Sequence, residues 1–160
     1  MAQSLPLVTI PTPTLRERSV EVDKSKIGTP EFQTFLDNLI ETMFVEDGIG
    51  IASPQVGRNE RIFIVNEKAG PAAYINPTVE LLTEPIMESE EGCLSVPGAA
   101  GIVMRAKKVR VSALNRHGRN VTVTAKGYMA TVYQHEFDHI EGILYVDKAV
   151  RLTKGGGGRV

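Results

Sequence analysis

The sequence contains a single cysteine, Cys93, among its 160 residues. One thiol cannot form an intramolecular disulfide, so this residue is an inert buried side chain, a nucleophile or a metal ligand. An excess of either charge is also missing, because 18 basic and 19 acidic side chains give a formal net charge of −1. Such a balance offers no long-range attraction for nucleic acid, and we find no nucleic-acid-binding motif.

Long hydrophobic runs and targeting segments are absent as well. No apolar run approaches the roughly 20 residues needed to span a bilayer, and the N-terminus has no basic region followed by an apolar core. We therefore expect a cytoplasmic protein with a reduced thiol. The length and a hydrophobic content of 42% favour one domain, over residues 1–152. A flexible tail is expected over 153–160, because this segment contains four consecutive glycines.

The order of the predicted elements indicates the fold class. Strands followed by one central helix favour an α+β architecture, with small antiparallel or mixed β-sheets packed around that helix. The pattern predicts an extended proline-containing arm over Leu5–Val22, a helix from Thr29 to Gly48, strands at Arg61–Val65, Val79–Leu82 and Met87–Leu94, a hairpin of Val109–Leu114 and Val121–Thr124, and a second helix from Gly127 to Glu141.

The second predicted helix carries the run His135-Glu136-Phe137-Asp138-His139. Four positions are slightly more than one helical turn, so the two imidazoles share a face, about 5–6 Å apart at Cβ, and can bind one ion. Glu136 points about 100° away from His135 around the helix. Its carboxylate can therefore reach a water beside the metal without being a ligand. Two buried imidazoles need partners for four nitrogens, and a metal ion can be the partner of two of these nitrogens.

Two other segments contain candidate functional residues. Cys93 lies in Glu91–Ser95, where the N–H of Leu94 is free to face a ligand if the strand is interrupted there. The glycines of the segment 48–57 are typical of ordinary turns. The functional alternative is that Gly50 lets a peptide lie against the backbone, while the Gln55 amide stabilises a developing oxyanion.

Together, these three segments resemble the peptide deformylase family, whose members remove the formyl group from the N-terminal formylmethionine of new proteins. The family's motifs are a glycine-rich segment ending in glutamine, the run EGCLS, and QHEFDH or a near relative followed by glycine. Here they occupy 48–55, 91–95 and 134–142, in the family's order. The resemblance covers about residues 5 to 148 and makes 1–152 a deformylase-like catalytic domain around a metal-binding helix.

The resemblance implies a catalytic metal site. Cys93, His135 and His139 would hold one divalent ion, with water in the open fourth position. Fe²⁺ is the ion expected from the family, and Zn²⁺ or Ni²⁺ would also suit a thiolate and two imidazoles. Glu136 would move a proton from the water to the departing amine.

The resemblance also implies how an N-formylmethionyl peptide would bind. The Leu94 N–H and the Gln55 side chain would stabilise the oxyanion. Ile49 and Gly50 would pair with the peptide backbone as an added strand. Two further residues, Thr131 and Val132, lie one turn before His135. They would either line the methionine pocket or pack as ordinary helix residues, and the sequence favours neither alternative. A structural ion pair is expected between Glu91 and Arg105.

Two departures from the family's pattern stand out. Ser53 occupies a place where the family usually has alanine, so we expect an added hydroxyl in the cleft wall to alter substrate preference.

Many bacterial members also end in a long helix that helps them dock on the ribosome. The glycine run here cannot form such a helix, because each glycine costs about 1 kcal/mol relative to alanine. The sequence therefore predicts weak ribosome docking.

Two other functions share some of these features. Zinc endopeptidases use the same His-Glu-x-x-His pattern, but they take a third His or Glu as ligand, for which only Glu141 or Asp147 is available downstream. Cys93 argues against this function. A non-catalytic peptide-binding module with a structural metal would need neither Glu136 nor Gln55, so their presence favours an enzyme.

Overall fold

The computed structural model describes residues 1–153 and 158–159. The helices are α1 (Lys24–Ile27), α2 (Pro30–Val45), α3 (Tyr128–Ile140) and α4 (Tyr145–Lys148), and the strands are β1 (Gly50–Ala52), β2 (Ile62–Glu67), β3 (Gly70–Leu81), β4 (Met87–Cys93), β5 (Val96–Arg105), β6 (Lys108–Leu114), β7 (Asn120–Lys126), β8 (Arg151–Thr153) and β9 (Gly158–Arg159). Short 3₁₀ turns occur at Pro13–Arg16 and Ser53–Val56. Among the described residues, no helix combines the length and apolarity needed to cross a membrane.

The strands form two sheets. The first has the order β1-β2-β3-β6-β7 with antiparallel neighbours, so β1 is an edge strand. The second has the order β8-β5-β4-β9, in which β4 pairs antiparallel with β5 and parallel with β9. A tight turn at Leu94 and Ser95 joins β4 to β5. The expected α+β fold with small antiparallel and mixed sheets is confirmed.

The first sheet is covered by a helix on each face. In β2, Phe63 and Val65 belong to the hydrophobic cluster that includes α3, whereas Ile62 and Ile64 belong to the cluster that includes α2. Successive side chains of a strand point to opposite faces, so a strand buried on both faces must be apolar at every position. This explains the unbroken apolar run in β2 and places α3 in the interior.

A third hydrophobic cluster lies beneath the second sheet and includes Cys93, Val96 and Val103, together with Tyr145 of α4 and the preceding Leu144. Because this cluster contains Cys93, the packing of the second sheet determines where the thiol lies. The interior helix and the end of β4 thus meet at one place.

The sequence predicted some elements and missed others. The helix starting at Pro30 is present, and the Thr29 side chain accepts the N–H of Phe32 as its N-cap. It ends at Val45, before the expected Gly48, because Asp47 adopts the left-handed conformation with φ +57°. The strands β1, β5, β8 and β9 and the helices α1 and α4 were not predicted.

The expected tail over 153–160 is only partly described. Thr153 belongs to β8, opposite Ala100, and Gly158–Arg159 pair with Glu91 and Gly92. Residues 154–157 and 160 lie outside the described part of the chain. Flexibility of the tail, and the weak ribosome docking inferred from it, therefore stay predictions.

Candidate active site and metal centre

The helix α3 carries both predicted histidine ligands in the interior. His135 and His139 are 2% and 1% exposed, and their ring centroids lie 5.0 Å apart. One helical turn separates the two residues, so both rings lie on the same side of α3. Local helical geometry therefore accounts for this pair.

Cys93 joins the two histidines from the end of β4. Its Sγ atom lies 3.3 Å from Nε2 of His139. One possible ligand atom from each of Cys93, His135 and His139 lies within 4.8 Å of the others. The fold thus brings together all three side chains that the sequence suggested as ligands.

The chemistry of this cluster fits a divalent ion. Among the described residues, Nε2 of His135 is buried without a hydrogen-bond partner, and Nε2 of His139 faces Cys93 Sγ at 3.3 Å. At tetrahedral angles, metal bonds of about 2.3 Å to sulfur and 2.0–2.1 Å to nitrogen place a sulfur ligand and a nitrogen ligand about 3.5 Å apart. The distance of 3.3 Å between Cys93 Sγ and His139 Nε2 is close to this value. Burial raises the pKa of the Cys93 thiol to about 12, so a nearby cation is needed to hold it as the thiolate.

Glu91 orients the first histidine. Its Oε1 atom lies 2.8 Å from Nδ1 of His135, which leaves Nε2 of that ring for a metal. Burial alone would raise the pKa of Glu91, but hydrogen bonds from Arg105 and His135 lower it to about 2. The carboxylate is therefore ionised at neutral pH and holds the imidazole tautomer that a metal ligand needs.

The predicted ion pair between Glu91 and Arg105 is present and extends further than expected. Nε and Nη2 of Arg105 each donate to Glu91 at 2.8 Å. Nη1 donates to Asp138 at 2.7 Å, and Asp138 also accepts from Lys148 at 3.0 Å. A chain of alternating charges thus runs from the half-exposed Lys148 to the ring of His135.

Glu136 lies beside the cluster without being part of it. It is fully buried, and neither carboxylate oxygen has a hydrogen-bond partner among the described residues. Burial, reinforced by repulsion from Glu91, raises the pKa of Glu136 well above its usual value. Such a carboxyl group is suited to accepting a proton from a reacting water and returning it.

The backbone of β1 closely approaches the Glu136 carboxylate. A Cβ atom added at Gly50 would lie 2.6 Å from Oε1 and 2.9 Å from Cγ of Glu136. Any larger residue at this position must therefore displace the carboxylate. The close approach explains why a glycine is needed at the edge of the first sheet.

We predict that Gly50→Ala lowers kcat/KM by about 10²-fold, because a 1 Å displacement of a reacting group has an effect of that size. The measurement is steady-state deformylation kinetics with metal content determined in parallel. Gly28→Ala is the matched control, since no atom of the described residues lies within 4 Å of its added Cβ. Equal activity in the two variants would contradict the close approach at Gly50.

Gln55 directs an amide donor towards the cluster. Its Oε1 accepts the N–H of Ala52 at 2.9 Å, and its Nε2 donates to Ser95 Oγ at 3.2 Å and lies 3.7 Å from Cys93 Sγ. Leu94 follows Cys93 in the turn, and its N–H has no hydrogen-bond acceptor in the described part of the chain. Two donors thus lie beside the candidate metal site.

The predicted substrate-binding residues lie on the two elements that flank the site. Gly50 belongs to β1, and the carbonyl of the half-buried Ile49 accepts the N–H of Asn66 at 2.8 Å. Thr131 and Val132 are 1% and 0% exposed on α3, and Val132 also belongs to a hydrophobic cluster. Both positions are one turn before His135.

Ser53 does not lie where the sequence suggested. Its side chain is fully buried, and its hydroxyl donates to the carbonyl of Arg58 at 2.8 Å. The hydroxyl therefore satisfies a backbone group of the loop after the 3₁₀ turn and does not line the cleft.

Sequence reasoning missed three residues around the site: Asp138, Ser95 and Tyr145. The first two lie inside the recognised motifs, so their position in the sequence was the available signal. The ring of Tyr145 stacks on His135 with centroids 6.2 Å apart, and its hydroxyl is buried without a partner among the described residues. No local pattern marked Tyr145, because its contact with His135 depends on how α4 packs.

Comparisons with known proteins agree with this geometry. The family model for polypeptide deformylase matches residues 4–155. The peptide deformylase of Desulfitobacterium hafniense is 41% identical over 148 residues, covering 92% of this chain and 96% of the relative. The enzyme of Halothermothrix orenii is 44% identical over 142 residues, covering 88% and 90%.

Solved structures are similar over the same region. The peptide deformylase of Thermotoga maritima superposes with a TM-score of 0.87 at 35% identity, covering 93% of this chain and 99% of that one. The peptide deformylase of Synechococcus elongatus in complex with actinonin gives a TM-score of 0.85 at 35% identity, covering 92% and 79%. The chain therefore belongs to the polypeptide deformylase family, metal-dependent hydrolases that remove the N-terminal formyl group from nascent peptides.

Proposed function

We propose that residues 1–152 form a catalytic domain that deformylates N-formylmethionyl peptides in the cytoplasm, with Fe²⁺ held by Cys93, His135 and His139. One observation carries the proposal: three ligand atoms converge within 4.8 Å beside the buried carboxylate of Glu136, which has no partner in the described part of the chain. A structural metal site has no use for such a carboxylate. The thiolate and two imidazoles suit Fe²⁺, Zn²⁺ and Ni²⁺, and the family resemblance favours iron.

Held by Cys93, His135 and His139, the ion would supply Lewis acidity, which polarises a carbonyl and lowers the pKa of a water from about 15.7 towards about 7. Glu136 takes the proton of this water as its oxygen attacks the formyl carbon. The same carboxyl group then gives the proton to the amine nitrogen as the C–N bond breaks, so formate and a free N-terminus are released. Burial raises the pKa of Glu136, and a more basic carboxylate takes up the proton of the water more readily.

Two donors stabilise the negative charge that develops on the formyl oxygen: the N–H of Leu94 and the side-chain amide of Gln55. Both lie in short turns, the β4–β5 turn at 94–95 and the 3₁₀ turn at 53–56. A preorganised donor of this kind contributes about 10²–10³ in rate.

The substrate would lie along β1, the edge strand of the first sheet. Backbone groups of Ile49 and Gly50 would pair with the extended peptide, which places its formyl end above Glu136. The methionine side chain would enter beside Thr131 and Val132, one helical turn before His135. Binding of this type recognises the backbone of the peptide and its first side chain, which suits an enzyme that acts on many nascent chains.

The test is formate release from a formyl-methionyl tripeptide under anaerobic conditions. Protein stripped of metal should be inactive, and activity should return with Fe²⁺, Zn²⁺ or Ni²⁺, with Fe²⁺ giving the highest rate. Zn²⁺ or Ni²⁺ exceeding Fe²⁺ would overturn the choice of iron. No formate with any metal at full occupancy would overturn the function, and cleavage of internal bonds in unformylated peptides would favour an endopeptidase.

A further inference from the structure

Ser95 lies in the turn between β4 and β5, two residues after Cys93, and is fully buried. A buried hydroxyl needs a partner, and here the partner is the side chain of Gln55, whose Nε2 donates to Ser95 Oγ at 3.2 Å. The contact joins residues that are 40 positions apart in the chain. It therefore links the turn that carries Leu94 to the 3₁₀ turn that carries Gln55.

The Gln55 amide has one anchor at each end. The N–H of Ala52 donates to Oε1 at 2.9 Å, and this bond determines which end of the amide is the oxygen. Ser95 holds one N–H of the nitrogen, and the second N–H lies on the side of Cys93 Sγ, 3.7 Å away. With both anchors in place, the plane of the amide is set before any substrate binds.

We propose that the hydroxyl of Ser95 is a positioning residue that orients the Gln55 amide towards the formyl oxygen in the transition state. The inference rests on the proposed function, because it assigns a rate effect to a residue that touches neither substrate nor metal. Removing one anchor lets the amide rotate about its terminal torsion, which is broad in side chains of this type. A donor that must first be ordered loses part of its catalytic effect.

The backbone of Ser95 forms further contacts that do not depend on its side chain. Its carbonyl accepts the N–H of Ile10 at 3.0 Å. Burial raises the pKa of the Cys93 thiol, and the backbone N–H of Ser95 acts in the opposite direction. Ser95→Ala therefore removes the hydroxyl alone, and the geometry of the turn and of the thiol should persist.

The first experiment measures steady-state deformylation by the metal-loaded wild type and by Ser95→Ala. We expect kcat to fall about tenfold, because the loss of one hydrogen bond has an effect of that size. KM should stay within about twofold of the wild-type value, and metal content should not change. Ser95→Thr keeps the hydroxyl and should recover most of kcat. Ser53→Ala is the control, because it removes an equally buried hydroxyl that bonds to Arg58 instead of Gln55.

A double-mutant cycle with Gln55→Ala decides whether Ser95 acts through Gln55. If it does, adding Ser95→Ala to Gln55→Ala should leave kcat unchanged within about twofold. Multiplied losses in the double variant, a loss of metal in Ser95→Ala, or an unchanged kcat in Ser95→Ala would each overturn the inference. This cycle remains decisive if the extra methyl of Ser95→Thr prevents folding.

Failure of the inference differs from failure of the proposed function. A metal-loaded wild type that releases no formate would overturn the proposed function and, with it, the inference. An active wild type with an unaffected Ser95→Ala variant would overturn the inference alone.

Discussion

Replacing Glu136 with glutamine should abolish nearly all turnover while the protein keeps its metal. A positioned general acid–base group contributes about 10²–10⁴ in rate, and glutamine has the same shape but cannot accept the proton of the water. The three candidate ligands do not include Glu136, so metal occupancy should not change. We therefore expect kcat to fall by about 10²- to 10⁴-fold at unchanged metal content.

The stability of the Glu136→Gln variant should also be informative. Burial disfavours the charged form of Glu136, which has no hydrogen-bond partner among the described residues. An uncharged amide of equal size removes that conflict between burial and charge. The free energy of unfolding should therefore stay equal or rise, which separates loss of chemistry from loss of structure.

The measurement combines formate release, elemental analysis and urea unfolding. Glu84→Gln provides the matched control, because it makes the same substitution at an exposed residue before β4. That variant should match the wild type in all three measurements. Retention of full activity by Glu136→Gln would exclude the proposed proton transfer.

Replacing Arg105 with methionine should produce the largest loss of stability. The side chain is 2% exposed and is paired with Glu91 and Asp138, which are 0% and 9% exposed. Removing the guanidinium leaves two buried carboxylates with one fewer partner each. Breaking a buried ion pair in this way is destabilising by about 3–5 kcal/mol, because the remaining charge is not compensated.

The same substitution should also weaken metal binding. Glu91 is held ionised by Arg105 and orients the ring of His135. Loss of an outer partner of this kind typically lowers metal affinity 10- to 100-fold, so metal titration should show a shift of about that size.

A surface arginine provides the control for both effects. Arg110 pairs with Glu80 at 3.0 Å, but their side chains are 46% and 63% exposed. Exposed pairs contribute about 0–1 kcal/mol, so Arg110→Met should unfold close to the wild type and bind metal normally. Equal urea midpoints for the two arginine variants would contradict a stabilising role for the buried network.

The sequence by itself determined the local parts of the site. The spacing of His135 and His139 places both rings on one side of α3, because the helical repeat sets the direction of each side chain. The same repeat directs Glu136 away from the first ring. Thr29 and Pro30 likewise specify the start of α2, since capping and a fixed proline φ act within one turn.

The resemblance carried by three motifs identified a metal ligand that local sequence patterns could not identify. The residues next to Cys93 allow a metal ligand but do not require one, so its assignment as a ligand depended on the resemblance to deformylases. The contact of Cys93 with His139, 46 residues away, comes from the way the second sheet packs against α3. Periodicity carries no information about such long-range contacts.

The tertiary structure alone decided the environment of these residues. Strand β5 contains Pro97, Gly98 and Gly101, which weaken any local strand signal, and it forms because β4 pairs with it along its length. That pairing sets Arg105 opposite Met87 at the end of β5, and from there its side chain reaches Glu91. Burial, the orientation of His135 and the anchoring of Gln55 by Ser95 all depend on contacts between distant segments, which only the folded chain brings together.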